Sequence, residues 1–268
     1  MADILALYDD KKQKSVNLLR KILWVAIIIL VLFSLAELFF HFFVAPRILI
    51  RNILIESDIP FTEQEILSIA GISRKEYYFL INSEEIQDRM MAHPLVREAK
   101  VEKIFPDTLK LKLYGRVPLM LALVNQQNKT VPVTIDEEGV VFQMAGSVSN
   151  WNLPVLSGLR FQRLDLGVRL PQEIVPFLRD FKKLCEQNSG LGSLISEIKI
   201  VKTQTDEFEF ILYPLTFAKG VRIGRKIDAY TLKYLLIALN LLEQEGILAK
   251  ATDLDFRTGE LVYRIKED

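Results

Sequence analysis

The sequence is nearly without cysteine and histidine: one cysteine, Cys185, and two histidines stand in 268 residues. A lone cysteine cannot form an intrachain disulfide, and no Cys/His cluster offers a structural metal site. The chain must hold itself together by packing. An excess of one charge is missing too, since 34 Lys and Arg balance 34 Asp and Glu. That balance excludes the basic footprint of a nucleic-acid binder. Catalytic signatures are equally scarce. There is no His-Glu-x-x-His, no phosphate-binding Gly-rich loop and no Gly-x-Ser-x-Gly. His41 lies in an apolar run and His93 precedes Pro94, so neither is an obvious base for a catalytic triad. The Ser-x-x-Lys pattern occurs once, at Ser196 to Lys199, inside an alternating segment. It lacks the companion motifs of penicillin-binding proteins. Asp136-Glu137-Glu138 is read as a solvated hairpin tip rather than as acid chemistry or a cation site. The expectation is no catalytic residue, metal, cofactor, small-molecule substrate or nucleic acid. A membrane-anchored cell-wall enzyme is the alternative class.

What the sequence does have is one long apolar run, Ile22 to Val44. As a helix it measures about 34 Å, enough to cross a hydrocarbon core of about 30 Å. It is too long for the apolar core of a secretory signal. The one candidate cleavage point, after Ala45, has Phe43 where a small residue is needed and Pro46 just beyond. An uncleaved anchor is expected. Lys11, Lys12, Lys14, Arg20 and Lys21 precede the run, whereas Arg47 and Arg51 alone follow closely. That asymmetry predicts a cytoplasmic N-terminus, with about twenty residues inside and some 220 outside. Glu37 and His41 share one helix face at i, i+4 spacing. Two readings are open: the pair reaches headgroups or water, or it makes a polar contact with another membrane helix.

Beyond the run, the pattern predicts a strand over Ile48 to Glu56, a short helix capped at Thr62 and stopped at Gly71, and a second helix capped at Asn82. The second helix is expected to bury Ile86, Met90 and Met91 and to end before Pro94. Strands over Val96 to Ile104 and Thr108 to Tyr114 flank a Pro106-Asp107 turn, with Leu109, Leu111 and Leu113 on the core face. After an Arg116-Val117-Pro118 step come strands over Leu119 to Val124, Val131 to Ile135, Val140 to Met144 and Leu153 to Gly158. An amphipathic helix, Pro171 to Gln187, precedes strands over Leu194 to Val201, Glu207 to Tyr213 and Gly220 to Gly224. A second long helix, Asp228 to Glu245, leads to a final hairpin of Ala251 to Arg257 and Glu260 to Lys266. The fold class is α+β: a β-α-α-β-β unit, then a larger β domain with two long helices.

The block Pro94, Val96, Ala99, Val101, Lys103, Phe105, Pro106, Asp107, Thr108 and Leu109, running into Arg116 and Pro118, is similar to the most recognisable motif of the FtsQ/DivIB family of bacterial division proteins. Gly115 stands where that family usually has Glu. Asp136 to Phe142, Leu153 to Gly158, Gly220 to Gly224 and Asp255-Phe256-Arg257 resemble later family motifs in the same order. The resemblance implies a cytoplasmic tail (1–21), a membrane helix (22–44), a POTRA domain (45–117) and an FtsQ-type β domain (118–268). It also implies a non-enzymatic, single-pass scaffold at the division septum, linking septal peptidoglycan synthesis to division. The implied partners are of the FtsB/FtsL (DivIC) type, together with FtsW/FtsI-type septal synthases. Another POTRA-bearing transport or assembly protein is the second alternative. The Arg-Val-Pro step is expected to be the seam between the two exported domains, because proline ends ladder pairing. The last segment has no strand after it, so Leu261, Val262, Tyr263 and Arg264, with Arg257 nearby, form a candidate docking edge. The competing reading is a terminal strand already paired on both sides.

Overall fold

The computed structural model describes residues 2–44, 47–73, 75–126, 129–144, 152–159, 165–188, 190–205 and 207–265, the side chains of 2–19, 125, 126 and 129 excepted. The Ala45-Pro46 point and Lys266 lie outside the described residues. Helix α1 runs over Ala2–Phe39 and continues as one π-helical turn, Phe40–Val44. Within it, Arg20–Val44 is long and apolar enough to cross a membrane. The chain divides into two compact units, residues 1–56, 63–87 and 100–112 in one, and 57–62, 88–99 and 113–268 in the other.

The segment after α1 folds as β1 (Asn52–Ser57), α2 (Glu63–Ala70), α3 (Ser83–Met91), β2 (Val96–Ile104) and β3 (Thr108–Gly115), with sheet order β1-β3-β2. This is the expected β-α-α-β-β order. Local chemistry sets the helix ends. Gly71 closes α2 at φ +64°, a left-handed position that glycine occupies without strain. The Asn82 Oδ1 accepts from the amides of Glu84 and Glu85 at 3.1 and 3.4 Å and starts α3. Leu109, Leu111 and Leu113 are buried as their alternation requires. Two expectations are corrected. The first strand begins at Asn52, because Ile48 and Ile50 spend their backbone groups on the Glu76–Tyr78 segment instead: Tyr78 N donates to Ile48 O at 2.9 Å and Ile50 N to Glu76 O at 2.9 Å. Met91 is exposed, since α3 turns its last residue outward after burying Ile86 and Met90.

The larger sheet has nine strands in the order β12-β11-β10-β9-β8-β7-β4-β5-β6. They are β4 (Met120–Gln126), β5 (Lys129–Ile135), β6 (Val141–Met144), β7 (Val155–Ser157), β8 (Ile195–Lys202), β9 (Phe208–Pro214), β10 (Val221–Ile223), β11 (Ala251–Asp255) and β12 (Val262–Ile265). Parallel pairings join β4 to β7, β7 to β8 and β10 to β11; the other five ladders are antiparallel. Three helices are interspersed: α4 (Val175–Gln187), α5 (Ala229–Gln244) and the short α6 (Ile247–Lys250). The predicted stripe of α4, Ile174, Phe177, Leu178, Phe181 and Leu184, is buried in one core with Leu232, Leu235 and Leu239 of α5. Phe177 stacks on Phe210 of β9 with ring centres 3.8 Å apart. Asp228 caps α5 by accepting from Thr231 N at 2.7 Å.

Truncating a fully buried aromatic removes its transfer free energy and leaves a cavity. We expect Phe181→Ala to lower the unfolding free energy by about 3–5 kcal/mol. Leu241→Ala, on the exposed face of α5, is expected to stay within about 0.5 kcal/mol of wild type. Urea melts of the two variants check this.

Candidate functional sites: the Arg116 cluster and the terminal strand

Arg116 follows β3 directly, between the inward-facing Leu113 and the buried Leu119. Its side chain is only 6% exposed and Asp136 only 2%. A buried guanidinium must be paired and hydrogen-bonded, because losing water costs it several kcal/mol. Here Nη1 donates to the Asp136 carboxylate and to Glu138 Oε2, the latter at 2.8 Å, while Nε donates to the Pro94 carbonyl at 3.1 Å. The Arg116 amide donates to Leu95 O at 3.0 Å. Asp136 is itself satisfied by the β5–β6 turn, its Oδ1 accepting from Glu138 N at 3.0 Å and Val140 N at 2.8 Å. Gly139 completes that turn at φ +73°, where an added Cβ would lie 3.2 Å from Leu170 Cβ. Around the cluster, Arg97 pairs with Glu137 at 3.6 Å, and Lys182 of α4 also pairs with Glu137.

The solvated-tip reading of Asp136-Glu137-Glu138 is therefore corrected. Asp136 points inward because a buried arginine needs a buried carboxylate. Burial alone would pull the Arg116 guanidinium down; the hydrogen bonds to Glu138 and Asp136 outweigh it and hold it above its ordinary value. The same bond to Arg116, opposed by burial, lowers the Glu138 carboxyl below the usual range. The tightness extends to Gly115, whose amide donates to Asp58 Oδ1 at 2.6 Å. A Cβ there would meet Ile59 Cγ1 at 3.1 Å, so a larger residue crowds this position unless Ile59 gives way.

At the far end of the nine-stranded order, β12 holds Val262, Tyr263 and Arg264 together, with Leu261 just before it packed against the core. Val262 is 58% exposed, and Tyr263 and Ile265 are also open to solvent. Arg257 stands apart from this row. Its guanidinium donates to both Asp255 oxygens and to Glu209 Oε1 at 2.8 Å. These hydrogen bonds raise Arg257 above its ordinary value and, opposed by burial, lower Asp255.

The direction of the β12 backbone groups follows from its neighbours. Phe256 N donates to Arg222 O at 2.8 Å, so the Asp255 groups face the other way, toward Val262. Independently, Thr252 Oγ1 donates to Arg264 O at 3.1 Å, turning that carbonyl toward β11. Val262 and Arg264 thus bond inward, and by alternation the amide and carbonyl of Tyr263 face outward. Among the described residues no backbone bond is made outward from Tyr263. The opposite edge differs. There Val168 O accepts from Val141 N at 2.9 Å and Gly167 N donates to Val141 O at 2.7 Å, so the 165–170 segment covers the start of β6.

The remaining sequence candidates fall as follows. Glu37 lies in α1 and His41 in the π-helical turn, both exposed. Ser196 lies in β8 and donates to Tyr213 O at 2.9 Å. His93 packs edge-on against Phe61 and accepts from Leu95 N at 3.3 Å. No group of three metal-ligating side chains occurs among the described residues. The cavity beside Val117, Leu119, Phe181 and Cys185 is mostly apolar.

Residues 49–114 match the FtsQ-type POTRA domain model. The cell division protein FtsQ of Anaeromyxobacter sp. (strain K) is 26% identical over 212 residues, covering 78% of this chain and 68% of that protein. FtsQ of Geobacter sp. (strain M21) is 24% identical over 61% of this chain and 57% of its own length. DivIB of Geobacillus kaustophilus (strain HTA426) is 26% identical over 80 residues, 30% of each chain. The solved extracytoplasmic domain of DivIB from Geobacillus stearothermophilus is 16% identical, with a TM-score of 0.30, over 48% of this chain and 98% of that one, too distant to argue from.

Two outcomes are expected of the Arg116 cluster. Asp136→Ala leaves a buried guanidinium short of its more deeply buried counter-charge and should cost about 3–5 kcal/mol in urea unfolding. Because the Glu138 carboxyl is lower in the folded chain than in the unfolded one, its contribution is present above the unfolded value of 4.5 and lost as pH falls through the folded value. Stability measured against pH should therefore drop in that acid window less steeply in Glu138→Gln than in wild type.

Proposed function

We propose, because this chain belongs to the FtsQ/DivIB family of cell-division proteins, that it is a non-enzymatic single-pass scaffold of the bacterial divisome. The proposed topology is a cytoplasmic N-terminus, one membrane crossing by α1, and a POTRA domain (45–117) and β domain (118–268) outside the cytoplasm at the septum. The proposed partners are division proteins of the FtsB/FtsL (DivIC) type, and septal synthases of the FtsW/FtsI type beyond them. The observation that carries the docking part is the contrast between the two edges of the nine-stranded sheet. One edge is capped by the 165–170 segment, and the β12 edge leaves the Tyr263 amide and carbonyl facing outward. An uncapped edge of this kind accepts an added strand, with ladder bonds for affinity and alternate side chains for register. Glu37 and His41 are proposed as a polar face for a second membrane helix.

The backbone directions choose the test. A proline at Val262 would break a bond to β11 and loosen the hairpin itself. A proline at Tyr263 removes an outward donor and is compatible with an edge strand. Tyr263→Pro is expected to weaken capture of an FtsB/FtsL-type partner by about tenfold, one lost hydrogen bond with its register, while leaving thermal melting unchanged. Arg264→Glu should act mainly on association rate and its salt dependence. Wild-type binding by both folded variants would place the docking edge elsewhere.

A further inference from the structure

The loop between α2 and α3 is built in an unusual way. Tyr78 and Ile81 are buried and hold it down, while Tyr77, Phe79 and Leu80 point out, Leu80 with 78% of its surface exposed. Phe105, in the turn between β2 and β3, is 63% exposed and lies edge-on to Tyr78 at 6.2 Å. The Lys103 amine sits 5.5 Å over the Tyr78 ring and donates to Ile81 O at 3.1 Å. The result is an apolar knob of Phe79, Leu80 and Phe105 with a cation at its base. Soluble surfaces seldom group exposed aromatics in this way without a binding role.

Chain connectivity fixes where this knob sits. Tyr78 N donates to Ile48 O at 2.9 Å, and Leu49 bridges Tyr77. Ile48 is four residues beyond Val44, the end of the apolar helix, and four residues span at most about 14 Å. The knob cannot leave the neighbourhood of the helix exit. Phe79 and Phe40 stand edge-on at 6.2 Å. Arg47 and Arg51, both exposed, flank the same stretch.

We propose that Phe79, Leu80 and Phe105 insert into the headgroup and upper acyl region of the same bilayer that α1 crosses, with Lys103, Arg47 and Arg51 at the level of the phosphates. The proposal rests on α1 spanning the membrane. The chemistry suits that zone: aromatic and leucine side chains bury apolar area at the interface, and basic groups meet lipid phosphate. The function would be to hold the first exported residues against the membrane and limit the tilt of the unit that carries them.

The test uses the full chain in phospholipid vesicles, with Cys185→Ala removing the one native thiol. An environment-sensitive dye is placed at Leu80→Cys or, separately, at Leu30→Cys within the span. Lipids carry a nitroxide either just below the headgroup or deep in the acyl chain. The Leu80 dye is expected to be quenched more by the shallow nitroxide, and the Leu30 dye more by the deep one. Phe79→Ser with Phe105→Ser should cut the Leu80 quenching about twofold or more without changing the melting temperature, showing that the chain and not the dye drives insertion. A Leu80 dye indifferent to both nitroxides while the Leu30 dye is quenched overturns the proposal and leaves the span intact. A dye shielded from water yet unquenched by lipid points to a protein occupant and overturns it equally. Loss of quenching at Leu30 as well overturns the span and the proposal with it.

Discussion

A guanidinium shut away from water is the constraint around which the larger unit is arranged. Arg116 emerges between buried leucines, so every one of its contacts must come from protein. It takes them from three separate stretches: the Pro94 carbonyl, the Asp136 carboxylate and Glu138. Each of those must be placed to within hydrogen-bond distance, and each is placed by further bonds. Asp136 is held by two amides of its own turn, and that turn is closed by Gly139 against Leu170. Leu170 in turn belongs to the segment that caps the β6 edge, its amide donating to Gly139 O at 2.8 Å. A hydrophobic residue at position 116 would pack with less desolvation cost, but it would not select one arrangement of these stretches. Directional bonds around a buried charge do.

Much of the architecture could be read from the residues. Alternation of Leu109, Leu111 and Leu113 located β3 almost to the residue, and the stripe from Ile174 to Leu184 identified α4 and its buried face. Glycine and asparagine marked where α2 ends and α3 begins. These signals are local, each depending on a few neighbouring residues. What local pattern could not supply was partnership across the chain. Asp136 in an acidic triplet before glycine looks like a surface turn, and only the arginine twenty residues earlier makes it a core residue. Two signals did point that way: Arg116 stands in an otherwise apolar stretch, and Asp136 follows the apolar end of β5. Likewise Ile48 to Ile50 has strand composition, yet its hydrogen bonds go to the 76–78 segment, a choice set by tertiary pairing. Which face of β12 carries its free amides depends on the register with β11 and β10, which no property of β12 alone encodes.

The two edges of the nine-stranded sheet show how a sheet separates stability from availability. Any open edge risks indiscriminate pairing. The β6 edge is covered by 165–170 through backbone bonds and carries the Asp136 turn beside it. The β12 edge is short, and the ladder that holds it shifts register at a bulge between Ala251 and Asp253 of β11. Shortness and a bulge discourage long, unspecific pairing, and they leave a strand of two or three residues able to find Tyr263. In the proposed docking, an edge kept small in this way favours selectivity over affinity.

Arg257 clarifies what kind of partner such an edge favours. Resemblance and charge both make it attractive as an anchor for an acidic segment. Yet it already meets Asp255 and Glu209, so an incoming carboxylate would exchange one charge-assisted bond for another. The net gain from such an exchange is small at a wet surface. A pre-engaged arginine is instead a positioned one, with little side-chain entropy left to lose. In the proposed docking, the bulk of the attraction comes from elsewhere on the strand: from ladder bonds at Tyr263 and from the apolar area that Val262, Tyr263 and Ile265 leave open to solvent. Burying that area gains about 25 cal/mol per Å² before the costs of association are subtracted. On the proposed docking, affinity should fall only weakly as salt rises, whereas a mode carried by surface ion pairs should lose affinity steeply.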